Sequence, residues 1–96
     1  MADVYSPAAG TYEAYRQWVV TVEGQVAFDW IERMAVEQLA AGADRVSPRT
    51  LVARARDHLH ARINDHFTAW IADDLVIRHP HLLDVIERRK RRKSKF

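Results

Sequence analysis

Ninety-six residues with 48% hydrophobic side chains, a formal net charge of +2 and no cysteine describe one small domain. Without cysteine there are no disulfides and no thiolate metal sites, which fits a reducing cytoplasm. No apolar run approaches the ~20 residues that span a bilayer, and Met1-Ala2-Asp3-Val4 lacks the basic-then-apolar order of a secretory signal.

Residues 1–10 read as an arm, because Ser6-Pro7 and Gly10 interrupt any regular pattern. Thr11 is a candidate helix cap. From it Tyr12, Tyr15, Val19, Val22 and Val26 recur at steps of three and four, one stripe of a helix. Gly24 interrupts the pattern and is the expected place for a break or bend. The stripe resumes as Ala27, Ile31 and Met34, and Ala41-Gly42-Ala43 ends the helix with a left-handed cap at Gly42. Arg45-Val46 is a candidate minimal strand of the kind found in a winged helix-turn-helix.

Ser47-Pro48 marks the next helix start: the serine accepts a free backbone N–H and the proline loses nothing at the first helical position. That helix is expected to run to about Arg62, with Val52, Ala55, Leu59 and Ile63 on its apolar side. Asn64 or Asp65 caps a further helix ending at His79-Pro80, since a residue before proline is pushed out of the α region. Leu82, Leu83, Val85 and Ile86 then offer a last apolar patch. A fifth helix running from near His81 into the basic tail is preferred there over a β-wing. The expected core gathers Ile31, Met34, Leu39, Val52, Leu59, Phe67, Ile71 and Leu75.

The chain ends in Arg88-Arg89-Lys90-Arg91-Arg92-Lys93-Ser94-Lys95, seven cations with no acid. Residues 1–44 carry −5 and residues 45–87 balance, so the whole positive excess lies in this run. Phosphate contact is its direct physical use, because each neutralised phosphate releases counterions. An anionic membrane competes poorly, since no apolar face accompanies the run. An acidic protein surface is a third possibility. The excess of arginine over lysine, with abundant alanine, points to a GC-rich source such as an actinobacterial host.

Arg45-Val46-Ser47-Pro48-Arg49, Arg54-Ala55-Arg56, Ile63-Asn64-Asp65, Ala72, Leu75, His79-Pro80, Glu87 and Arg89 form a longer pattern. In it the chain resembles a family of small, functionally uncharacterised proteins carried by phages, prophages and plasmids. In that family an arginine usually follows the equivalent of Ala72, where Asp73 stands here. The resemblance implies a mobile-element origin, with the host-cell cytoplasm as the place of action. It implies no biochemical activity.

Catalytic motifs are missing: there is no Gly-rich phosphate loop, no Gly-x-Ser-x-Gly and no cysteine nucleophile, so a non-enzymatic role is expected. His58, His60, His66, His79 and His81 make two His-x-His pairs, but positions two apart on a helix do not share a face, so neither metal nor cofactor is expected. Trp30 and Trp70 lie beside apolar stripes and are expected in the core. Trp18, Tyr5 and Tyr12 are less committed.

The expected architecture is an all-α bundle of four or five helices containing a helix-turn-helix or winged-helix-like unit. Its parts are an arm (1–10), a helical domain (11–87) and a basic tail (88–96). The expected function is DNA binding by a regulatory or accessory protein acting as a homodimer. Arg45, Arg49, Arg54 and Arg56 would face the duplex. Arg88, Arg89, Lys90, Arg91, Arg92, Lys93 and Lys95 would hold phosphates. The alternative is a protein that binds and redirects a host protein.

Overall fold

The computed structural model describes residues 9–87; residues 1–8 and 88–96, most of the arm and the whole basic run, lie outside them. The described residues are all-α. Their helices are α1 (Tyr12–Val19), α2 (Val22–Ala40), α3 (Pro48–Leu59) and α4 (Thr68–Arg78), with 3-10 turns at Asp65–Phe67 and Pro80–Asp84.

Thr11 caps α1 as expected, accepting from the Ala14 amide at 3.2 Å. The break after it falls at Val20–Thr21, three residues before Gly24. Thr21 makes the corner from both sides. Its hydroxyl donates to the Trp18 carbonyl at 2.6 Å, closing α1, and accepts from the Gly24 amide at 3.0 Å, opening α2. The Gln25 side-chain amide donates to the Val19 carbonyl at 2.7 Å, tying α2 back onto the end of α1. Gly24 therefore sits in the first turn of α2, pressed against the backbone of α1. The Tyr12–Val26 stripe is consequently split between two helices. Tyr15 is buried, while Val22 is 82% exposed.

The later helix ends follow local chemistry. Gly42 has φ 84° and its amide reaches the Leu39 carbonyl at 3.0 Å, a left-handed cap. Ser47 accepts from the Thr50 amide at 3.2 Å with Pro48 behind it. Asn64 accepts from the His66 amide at 2.8 Å but caps the 3-10 turn Asp65–Phe67, and α4 itself begins only at Thr68, without a side-chain cap and later than expected. His79 leaves the helical region at φ −133°, ψ 80°, ahead of Pro80.

Two later segments also differ from expectation. α3 stops at Leu59 rather than Arg62, because His60 adopts a left-handed conformation at φ 54°. The connection from α3 to α4 therefore covers residues 60–67, longer than the three- or four-residue turn of a DNA-binding helix-turn-helix. Second, residues 80–87 form neither a fifth α-helix nor a wing. They make one 3-10 turn and then a single parallel bridge, Val46 to Ile86, with no strand among the described residues. Leu82 and Ile86 are both buried, and that burial draws the segment onto the body instead of letting it continue as a helix.

α2 packs on α1 and α3, α3 on α4, and the 80–84 turn folds back on α4. The shared core holds Tyr15, Ile31, Leu51, Val52, Phe67, Ile71, Leu75 and Leu82. Tyr15 also packs against the rings of Trp18, Phe67 and Trp70, with its ring centroid 5.5 Å from that of Phe67. Of the expected core, Met34, Leu39 and Leu59 are only partly buried and pack on its margin, as do Trp30 and Trp70. Leu59→Ala is therefore expected to cost less than the ~2–5 kcal/mol of a buried leucine, because part of its surface is already wet. A urea-unfolding loss above about 3 kcal/mol would place Leu59 inside the core.

Candidate nucleic-acid interface

Val46, fully buried at the end of the α2–α3 connection, donates its amide to the Val85 carbonyl at 2.8 Å. Its own carbonyl accepts from the Glu87 amide at 2.7 Å. An ion pair at 3.1 Å joins Arg45 to the Glu87 carboxylate on the outside of this bridge. Leu82 and Ile86 supply the apolar anchors, and the Ile86 amide donates to the Leu82 carbonyl at 2.7 Å. Glu87 is thus held beside Ser47 and Pro48, where α3 begins. Arg88, the first residue of the basic run, follows it directly in sequence.

Four arginines of the body were expected to face a duplex, and they have different surroundings. Arg45 is exposed and paired with Glu87. Arg49 is exposed in the first turn of α3, close to the root of the run. Arg54 lies about 140° around α3 from Arg49, at ~100° per residue, and faces α2 instead. There it lines a groove with Trp30, Met34, Asp57 and His58.

Arg56 has a structural task. Its Nε and Nη2 donate to the Ile63 carbonyl at 2.9 and 2.7 Å, and it forms an ion pair with Asp65. That fork closes the loop opened by the left-handed His60 and fixes the start of the turn before α4. The hydrogen bond from Arg56 holds the Asp65 carboxyl below the usual carboxylate range. Arg56, expected to face DNA, thus has its Nε and Nη2 committed to the loop.

The described body is acidic. Residues 9–87 contain eight arginines and twelve carboxylates, a formal −4, so the positive excess of the chain belongs to the run beyond it. Several carboxylates are engaged internally. Asp74 is half-buried and accepts from the buried Tyr15 hydroxyl at 2.5 Å. Burial first, and then this bond, push the Tyr15 phenol well above its ordinary range.

Sequence reasoning missed a clamp centred on Glu32, midway along α2. Its carboxylate accepts from His79 Nε2 at 2.7 Å and from Arg78 Nη1 at 3.1 Å. Arg78 also lies over the Phe28 ring, 5.1 Å from its centroid. The clamp fixes the hinge between α4 and the 80–84 turn, upstream of the bridge that places Glu87. Only the acid–base complementarity of positions 46 and 47 apart hinted at it, and that is no local signal. Burial alone would raise the Glu32 carboxyl, but the hydrogen bonds from His79 and Arg78 outweigh it and hold the group below its ordinary 4.5. A carboxylate depressed in the folded state contributes stability above its unfolded pKa and loses it as pH falls through the folded one. The stability advantage over Glu32→Gln should therefore be full near pH 5 and shrink below about 4.5, read from urea midpoints across that range. An advantage unchanged down to pH ~3 would contradict the clamp.

The other histidines have separate roles. His58 stacks on Trp30, and His66 lies 3.1 Å from the Asn64 side-chain oxygen. Among the described residues no three metal-ligating side chains converge. No described helix is long and apolar enough to cross a membrane. Comparison with protein-family models, with curated proteins and with solved structures finds no match to this chain.

Proposed function

We propose that this chain is a small DNA-binding accessory or regulatory protein whose basic run grips phosphates from a root fixed on the helical body. One observation carries the reading: the Val46–Ile86 bridge holds Glu87, the residue that precedes the run in sequence, beside Arg45 and the first turn of α3, where Arg49 is exposed. A cationic tail attached at random would add charge only. One rooted there adds its charge to two exposed arginines and to the positive end of a helix. The helical pair α3–α4 supplies the platform, and contact is with the backbone, since the acidic body offers no basic recognition helix. The resemblance to phage-, prophage- and plasmid-borne proteins favours a mobile-element role in the host cytoplasm.

The test is retardation of a random-sequence duplex by the full chain at about 50 mM salt, a condition that favours any phosphate contact. A shifted band supports the reading; none at tens of micromolar protein removes it. A second reading has its own support. Val20 and Val22 at the α1–α2 corner are exposed by 71 and 82%, and Ile77 on α4 by 75%, on a body of net negative charge: apolar side chains that a protein partner would cover. In a homodimer these exposed side chains, with Val26, would form the contact. In the host-protein version, a specific partner survives nuclease treatment in a pull-down while duplex DNA does not bind.

A further inference from the structure

Between α2 and α3 lies an open groove of about 350 Å³, lined by Trp30, Met34, Arg54, Asp57 and His58. Trp30 is half-buried, and the exposed His58 imidazole lies on it with centroids 5.4 Å apart and planes 25° from parallel. The groove thus combines an aromatic stack, a thioether, an exposed guanidinium and an exposed carboxylate. Each suits a different part of a nucleotide. A stacked aromatic pair offers a π-surface, a guanidinium pairs with phosphate, and a carboxylate accepts from an exocyclic amino group.

We propose that this groove takes one unstacked base of a single-stranded nucleic acid. The base extends the Trp30–His58 stack, Asp57 accepts from its amino group, and Arg54 faces the neighbouring phosphate. Bases inside a duplex have both faces covered by their neighbours, so the groove selects single strands. The inference rests on the nucleic-acid reading above, because the tail supplies most of the phosphate grip. The spacing suits a shared strand: Asp57 is ten residues along α3 from Ser47, about 15 Å at ~1.5 Å per residue.

The test uses the full chain and fluorescently labelled oligodeoxycytidylate and oligodeoxythymidylate of about twelve nucleotides, with a hairpin duplex as reference. Anisotropy is read at about 50 mM salt. His58→Ala should weaken oligodeoxycytidylate binding about tenfold, and His58→Phe should restore it, because stacking needs a ring and not an imidazole. Duplex affinity should not change in either variant. Thymine lacks the amino group, so the unmodified chain should prefer oligodeoxycytidylate, and Asp57→Ala should erase that preference. His58 and Asp57 are exposed, and unchanged urea midpoints would confirm that the variants fold. Three results would overturn the assignment: no loss with His58→Ala, equal loss on duplex and single strand, or no rescue by phenylalanine. If the unmodified chain binds the duplex and the groove variants change nothing, the groove assignment alone falls. If it binds neither form, the nucleic-acid reading falls and the inference with it.

Discussion

Gly24→Ala should destabilise the protein by about 3 kcal/mol or more, the upper end of overpacking costs. Helix propensity argues the other way, since alanine within a helix is favoured over glycine by ~1 kcal/mol. Geometry decides the sign. A Cβ on residue 24 would lie 1.9 Å from the Trp18 carbonyl oxygen and 2.7 Å from its carbon. Those atoms belong to a backbone that Thr21 and Gln25 hold in place, so no flexible side chain can move aside. Relief requires α1 to lift off α2, taking the buried Tyr15 and its bond to Asp74 with it. Equilibrium urea unfolding measures the loss. A variant as stable as the parent would show that the two helices do not meet as described.

The second large effect is functional. A chain ending at Glu87 loses all seven cations of the run and retains the folded body with Arg45 and Arg49. At about 50 mM salt its affinity for duplex DNA should fall on the order of a thousandfold or more, because a run that neutralises six or seven phosphates dominates non-specific binding. The loss should be the same on unrelated sequences, since phosphate contacts carry no sequence information. The contacts described for Glu87, with the Val46 carbonyl and Arg45, all lie within the shortened chain, so the urea midpoint should stay close to that of the full chain. Equal affinity of the two forms would assign binding to the body, against its net negative charge.

Much of this fold was legible because its boundaries are set by local hydrogen-bond chemistry. Thr11, Ser47-Pro48, Gly42 and His79-Pro80 each act within a few residues of themselves, and each marks the boundary that the sequence implied. The misplaced boundaries depend on contacts between distant residues. The break before α2 falls at Thr21 because Thr21 can bond in both directions, whereas Gly24, the more conspicuous residue, is needed for close approach. α3 ends early where Arg56 reaches forward to Ile63 and Asp65, a grip that no helical periodicity reveals. Good helix formers near Glu87 argued for a fifth helix, but burial of Leu82 and Ile86 against the body prevailed over propensity.

The candidate interface was half legible. Composition alone exposed the basic run. Its point of attachment depends on the pairing of Val46 with Ile86, forty positions apart, and on the Glu32 clamp that fixes the hinge before it. A minimal strand at Arg45-Val46 was the one sequence signal that pointed there. The groove at Trp30 and His58 left none, because the two rings meet only when α2 packs on α3.

The most direct measurement is the salt dependence of duplex binding for the full chain and for the chain ending at Glu87, between about 50 and 200 mM. If the run grips phosphates, the logarithm of the binding constant should fall against the logarithm of salt with a slope of about −6 to −8 for the full chain, at ~0.9 per phosphate for about seven contacts from the run and up to two from Arg45 and Arg49. The truncated chain, left with Arg45 and Arg49, should show a slope of about −2 or shallower. Parallel lines for the two forms would contradict the account, since the run would then contact no phosphate.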